Sequence, residues 1–315
     1  MTALPAMGAA FRSHERFLWG LCYRMTGSAA DADDLVQETF ARALARPPVD
    51  MASPLRPWLV RVAMNLSRDL LRRRRRRGYD GPWLPAPVDT GEDGRLELPP
   101  AHEPAATAAR YDLMESVTLA FLLALEALSP PQRAVLILRD VLDYSVAETS
   151  AALAMSQSSV KTTHHRARRA MEAYERRRCR PSAEVGARTQ AALMRFLLAL
   201  RAQDASAVEA LLAADVEARS DGGGEFLTAR VPLVGPHRVA RAYLKLTARR
   251  TTDSLRHEIR LLNGLPAVVV EDASPPNRWG PRWILQINVG DDGLIRAVHT
   301  VIASAKLAGV RPLAA

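Results

Sequence analysis

The chain has 315 residues, 48% of them hydrophobic, enough to bury two or three separate cores. Its 43 Lys and Arg outnumber 34 Asp and Glu for a net charge of +9, which suits a polyanionic partner such as nucleic acid or an acidic membrane surface. Cys22 and Cys179 lie far apart with no Cys/His metal spacing, no apolar run reaches the ~18 residues that span a bilayer, and no signal peptide is read at the start. These features favour a cytoplasmic protein with no membrane partner, no metal and no other cofactor.

The charge is unevenly placed. Residues 1–78 carry 14 Lys and Arg against 7 Asp and Glu, and residues 79–108 carry 1 against 6. A basic block, an acidic linker and two mildly basic blocks predict separate folded parts. Helical spacing of Phe11, Phe17, Leu18, Leu21, Cys22 and Met25 predicts a first helix, ended at Gly27 and Ser28. A second follows in "DADDLVQETFARAL", with Leu35, Val36, Thr39, Phe40, Ala43 and Leu44 inward and Asp34, Gln37, Glu38 and Arg42 outward. Prolines 47, 48, 54 and 57 then enforce a loop. The third helix begins near Trp58. Leu59, Val62, Ala63, Leu66 and Leu70 make its inner stripe, and Arg61, Asn65, Arg68 and Arg72 fall on another face. Six arginines, Arg72 to Arg77, continue it until Gly78.

Residues 79–108 hold six prolines and read as an extended linker with Trp83 near its start. A helix is predicted over 109–128, then another capped by Ser129 with Pro130 in its first turn. Two short helices meet at "LAMS", with Leu153 and Val160 packing the corner and Ser156 capping the second. That second helix offers Gln157, Ser158, Lys161, Thr162, His165, Arg166 and Arg169. This is a helix-turn-helix, whose polar and cationic side chains suit phosphates and base edges.

From residue 187 the pattern changes to helices near 187–202 and 205–213, a strand ending at "RSDGGGEF", a helix at roughly 235–248, and three strands in hairpins. Asn263-Gly264 and Asp292-Gly293 are two-residue turn signals. In "RWILQINV", Trp283, Leu285, Ile287 and Val289 share one face. The fold class is multi-domain: two all-α parts, a helical bundle and a helix-turn-helix, followed by an α+β cone with a curved antiparallel sheet.

"DADDLVQETFARAL", "PLRPWLVRVAMNLSRDLLRRR" and "VKTTHHRARRAM", in that order, resemble an ECF (group IV) sigma factor of bacterial RNA polymerase. Residues 187–305 resemble a SnoaL-like cone, and the pair "YDGPWLPAPV" and "RSDGGGEF" resembles the subgroup that carries such an extension. The chain departs from that pattern at Ala86, Glu225 and "ASAKL", which keeps Lys306 and Leu307, and at Ser150, Ala154, Thr163 and His164 in the helix-turn-helix. The resemblance implies a region 2 domain at 9–78, a linker at 79–108, a region 4 domain at 109–180 and the cone at 187–307. It implies core RNA polymerase and promoter DNA as partners. Asp34, Gln37 and Glu38 would dock on polymerase, and the loop from Pro47 to Arg56 would receive an unstacked base. Arg61, Asn65, Arg68 and Arg72 would meet the −10 element. Gln157, Ser158, Lys161, Thr162, His165, Arg166 and Arg169 would meet the −35 element. Trp83, Asp221, Gly222, Gly223 and Lys306 would form a regulatory contact between linker and cone.

Two other readings stay open at this point. One is a helix-turn-helix regulator that senses a small ligand through the cone, with Trp279 and Trp283 as pocket walls. The other is a cyclase- or isomerase-like enzyme fused to a DNA-binding module, for which Asp221, His237 and His299 are candidates by residue type.

Overall fold

The computed structural model describes residues 3–46, 54–79, 81–91, 109–250 and 254–314. They fall into two compact units: Met1–Gly78 with Arg95–Arg178, and Tyr79–Gly94 with Cys179–Ala315.

In the first unit, α1 (Ala3–Thr26), α2 (Ala29–Ala45) and α3 (Leu55–Arg77) form a bundle. Ser28 caps α2 by accepting from the Asp31 N–H. Leu18, Leu21, Met25, Phe40, Leu59 and Ala63 are among its buried residues. The inner stripe of α3 is wider than its spacing predicts. Val60, Met64, Ser67 and Leu71 are buried, while Val62 and Leu70 are only half-buried. The reason is that α3 packs on the bundle and also on later helices of the same unit. Leu44, expected inside, is 55% exposed near the end of α2.

The single helix expected over 109–128 is broken. A 3-10 turn at Glu115–Val117 gives way to α4 (Leu119–Ala124), which Thr118 caps anew, and a second 3-10 turn follows at Leu125–Ala127. Tertiary demand overrides propensity here. Glu115 is fully buried and accepts from the Tyr174 hydroxyl at 2.8 Å and from Arg178 at 2.5 and 2.7 Å. Ser129 and Gln132 form a capping box for α5 (Pro130–Leu136), which runs into a π-turn at Ile137–Val141. Next come α6 (Val146–Leu153), α7 (Gln157–Ala170) and α8 (Glu172–Glu175). Leu153 and Val160 are buried at the α6–α7 corner, and Ser156 caps α7.

The second unit packs α9 (Ala183–Arg201), α10 (Ala205–Ala210) and α11 (Pro236–Thr247) on one face of a six-stranded sheet. Its strands are β1 (Leu212–Asp221), β2 (Leu233–Val234), β3 (Leu255–Leu262), β4 (Leu265–Asp272), β5 (Arg282–Val289) and β6 (Ile295–Val301), in the order β2-β1-β6-β5-β4-β3. A last short helix, α12 (Ser304–Leu307), follows. Four strands follow α11, not the three expected, and β1 pairs with β6 in parallel. Asn263 and Gly264, both at positive φ, make the two-residue turn between β3 and β4. Asp292-Gly293 instead sits inside a five-residue loop, because Val289 already pairs with Ile295.

Leu285, Ile287, Val298, Val216 and Val268 point into the helix-side core with Phe196 and Tyr243. Side chains alternate along a strand, so Arg219, Asp221, Val269, Ile284, Gln286, His299 and Val301 lie on the other face. That second face decides where the linker goes.

Candidate nucleic-acid interface

The helix that carries the proposed −35 residues, α7, starts at the Ser156 cap. Gln157, Ser158, Lys161, Thr162, His165, Arg166 and Arg169 are all exposed on it. The helix is held from behind by a group that the sequence reading left unassigned. Asp140, 1% exposed in the π-turn, faces His164 Nε2 at 2.8 Å and accepts from Arg168 Nη2 at 2.6 Å. Burial pushes the Asp140 carboxyl up, but the hydrogen bonds and charges of His164 and Arg168 outweigh it and hold it below the usual range. Two side chains of a basic helix, His164 and Arg168, are thereby spent on orientation. Their spacing from α7's outward residues was visible in sequence, but their partner was not.

The four positions proposed on α3 do not share one open face. Arg61, Asn65 and Arg72 are exposed, and Arg72 pairs with Asp69 at 2.8 Å. Arg68 is half-buried and donates to the Leu153 carbonyl at 3.2 Å, at the end of α6. The arginine run splits in the same way. Arg74 reaches the Thr26 carbonyl and Glu126, and Arg75 donates to the Leu128 carbonyl. Gly78, at φ 71, ends α3. Arg133, buried, ties Met25, Leu125 and Glu126 together. On α2, Asp34, Gln37 and Glu38 are exposed, with Glu38 paired to Arg42 at 2.8 Å. The proline loop at 47–53 lies outside the described residues; at its end Arg56 stacks over Phe17 at 3.9 Å.

In the second unit the start of the linker is held against the sheet. Asp221, 1% exposed at the end of β1, accepts from the Tyr79 hydroxyl at 2.6 Å and the Leu84 N–H at 2.7 Å. Lys306 of α12 donates to Asp221 at 2.6 Å and to the Leu84 carbonyl at 2.5 Å. Its ammonium lies 4.3 Å from the Trp83 ring and 4.7 Å from the Tyr79 ring. Gly222 and Gly223 permit this corner. A Cβ on Gly222 would meet the Phe226 carbonyl at 2.7 Å, and one on Gly223, at φ 64, would meet Ala303 at 2.8 Å. Farther on, Val88 exchanges backbone and side-chain bonds with Asn263, and Thr90 donates to the Leu261 carbonyl at 2.9 Å. Asp89 accepts from the Arg311 N–H at 3.0 Å. Leu84, Ala86 and Val88 are buried. Trp83, Asp221, Gly223 and Lys306 thus come together. Tyr79, Asn263, Asp89 and Arg311 join the same contact with no motif to announce them.

Two candidate groups in the cone have other employment. Trp279 and Trp283 flank the guanidinium of Arg250, at 4.8 and 3.9 Å, rather than walling a pocket, and Arg250 pairs with Asp272 at 2.6 Å. His237 is exposed beside Glu209 at 2.9 Å.

The Sigma-70 region 2 family matches residues 10–77, and the Sigma-70 region 4 family matches residues 118–171. The chain is 35% identical to the ECF RNA polymerase sigma factor SigG of Mycobacterium tuberculosis over 272 residues, covering 82% of this chain and 71% of that protein. The chain belongs to the ECF sigma factor family. As an ECF sigma factor it directs promoter recognition and transcription initiation. It is also 34% identical to SigJ of the same organism over 241 residues, 76% of this chain and 72% of that one. The crystal structure of M. tuberculosis SigJ matches with a TM-score of 0.72 at 28% identity, over 96% of this chain and 98% of that one. That match extends through the α+β unit, so the extension belongs to the sigma factor's own architecture. Among the described residues, no helix is long and apolar enough to cross a membrane.

Proposed function

We propose that this ECF sigma factor is regulated by its own C-terminal cone, which grips the linker that joins the two DNA-reading parts. The observation that carries this reading is the Asp221–Lys306 pair closed over Tyr79, Trp83 and Leu84. A buried carboxylate and ammonium are stable together only when their remaining hydrogen bonds are met, and the linker meets them. The pair therefore favours the gripped linker, and losing the linker leaves it short of partners.

In this reading the exposed residues of α7 read the −35 element. Arg61, Asn65 and Arg72 serve the −10 element, with Arg68 joining them only after it leaves the Leu153 carbonyl. Asp34, Gln37 and Glu38 face core polymerase. The protein acts in the cytoplasm and works by binding, with no covalent step of its own. The cone's role is mechanical: Asp221 is committed to the linker, and His237 sits on the surface. A contact of this kind needs no separate inhibitor to hold the linker.

Run-off transcription with core polymerase tests the reading. The Asp221→Asn/Lys306→Met double variant removes both charges at nearly constant volume, so neither is left buried alone. It and a chain ending near residue 182 should both bind core polymerase yet differ from the full chain in promoter output by several-fold. Output equal to the full chain in both variants would remove the cone from the regulation of this factor.

A further inference from the structure

Beneath the linker the sheet face carries two buried polar atoms that no described residue satisfies. His299 is 4% exposed and Gln286 is 1% exposed. They are direct cross-strand neighbours on β6 and β5. The His299 Nδ1 and the Gln286 Oε1 have no hydrogen-bond partner among the described residues, although the Gln286 amide nitrogen donates to the Leu262 carbonyl at 3.0 Å. That bond fixes the amide's orientation and leaves its oxygen, a pure acceptor, without a donor. A buried acceptor left without a donor keeps its desolvation cost uncompensated.

The register places this pair on the linker's path. In one row across the sheet, Arg219 of β1 pairs with His299, His299 with Gln286, and Gln286 with Ala267 of β4. The linker is anchored at Asp221 on one side of that row and at Leu261–Asn263 of β3 on the other. Only four residue steps separate the anchored Leu84 from Val88, about 14 Å of extended chain, so the crossing is direct. Two of the crossing residues, Pro85 and Pro87, carry no N–H. At those positions the linker has no N–H to offer either polar atom. In the next row the central positions are apolar, with Val269, Ile284 and Val301 buried between Asp221 and Glu258 at its ends. The charges at the two ends of the pair's own row are already paired, Arg219 with Glu217 and Arg260 of β3 with Glu258, each at 2.6 Å. Burial, with a contribution from Arg219, pushes the His299 imidazole down to about 4, so it is neutral near pH 7 and keeps one accepting nitrogen.

We propose that the sheet face beneath Leu84–Val88 is a binding slot for an uncharged, flat, mostly apolar small molecule bearing a hydroxyl or N–H donor, and that such a molecule competes with the linker for it. The inference rests on the reading of the linker as a releasable element. The slot differs from the helix-side core, which is filled by Phe196, Tyr243 and the aliphatic side chains around them. An incoming hydroxyl supplies the donor that the prolines lack, while the aromatic body replaces Leu84 and Val88 on the apolar rows. The ligand then releases the linker without touching Asp221 or Lys306.

The test uses the full chain and 2-naphthol as the probe, with 2-methylnaphthalene as the probe without a donor. In the Asp221→Asn/Lys306→Met background, where the linker is loosened, 2-naphthol should bind about tenfold tighter than to the unaltered chain. Adding Gln286→Leu, or separately His299→Leu, should weaken 2-naphthol about tenfold and leave 2-methylnaphthalene unchanged. In the unaltered chain, saturating 2-naphthol should speed amide hydrogen exchange at Leu84, Val88 and Thr90 while α9 stays protected. Equal affinity with and without the linker clamp, indifference to both polar substitutions, or unchanged exchange along the linker would each overturn the slot, and a bridging water would then account for the pair. The outcomes separate the two readings. Altered transcription in the double variant without slot binding leaves regulation by the cone standing, whereas slot binding without altered transcription removes that regulation and keeps the site.

Discussion

Three carboxylates, Glu115, Asp140 and Asp221, are buried almost completely, and each holds a separate stretch of chain in place. Glu115 fixes the broken helix to Tyr174 and Arg178, Asp140 sets α7, and Asp221 takes the linker. Only Asp221 stands in a motif that sequence reading can pick out, because its glycine neighbours are also constrained. The other two look like ordinary acidic positions until their cationic partners are in space. His299 is the residue whose titration has the clearest consequence. Its folded value, about 4, lies below the ordinary 6.5, so between those values the unfolded chain takes up a proton that the folded chain refuses. Its effect on stability is therefore absent above pH 6.5 and increasingly unfavourable as pH falls toward 4. Between pH 7.5 and 5 this amounts to about 2 kcal/mol. Denaturant unfolding of the unaltered chain and of His299→Gln at both pH values checks this: the loss on acidification should be smaller in the variant by about that amount. Parallel losses would show that His299 is protonated as easily in the folded protein as in the unfolded one.

At the level of helices and strands, local signals were reliable where neighbours along the chain decide the outcome. The caps at Ser129 and Ser156, the Asn263-Gly264 turn and the alternation of β5 all arise within a few residues. The misjudged features depend on remote partners: the break before Thr118, the second buried arc of α3 and the parallel β1–β6 pairing. The α3 site shows the same limit, since nothing in the sequence distinguishes an arginine facing solvent from Arg68, which faces the carbonyl of Leu153. The helix-turn-helix corner is a case where sequence and conformation disagree. Ala154 adopts the left-handed region, φ 51 and ψ 47, where glycine is at ease. Ala154→Gly should stabilise the first unit by about 0.5–1 kcal/mol, the steric relief being partly offset by glycine's freer unfolded chain. A melting temperature higher by about 2 °C, with unchanged affinity for promoter DNA, would bear this out; a lower one would mean that the Ala154 methyl makes a contact worth more than the strain.

For the whole molecule, composition suggested separate parts strung along a linker, whereas the described residues gather into two units. The region 2 and region 4 helices share one of them, with Arg68, Arg74, Arg75 and Arg133 spanning the join. In that arrangement several of the most basic residues are engaged within the protein. On the reading proposed above, Arg68 has to give up the Leu153 carbonyl to meet the −10 element, so that binding would carry the cost of breaking a bond between the two sets of helices, a coupling that charge counting along the sequence does not reveal.

The grip on Tyr79–Thr90 also sets a length. The thirty residues between α3 and the region 4 part reach roughly 100 Å when fully drawn out, and with the chain pinned through residue 91 the seventeen that follow reach roughly 60 Å. On the proposed reading, sheet, Asp221 and Lys306 together would act as a ruler for the tether between two readers of one DNA duplex. Promoters that differ only in the spacing of their two elements should therefore be ranked sharply by the unaltered protein and more evenly by the Asp221→Asn/Lys306→Met variant. Identical rankings in run-off assays would mean that the tether never limits the reach. A ruler that can be let out turns one sigma factor into two, with the same contacts to each element but a different tolerance for the distance between them.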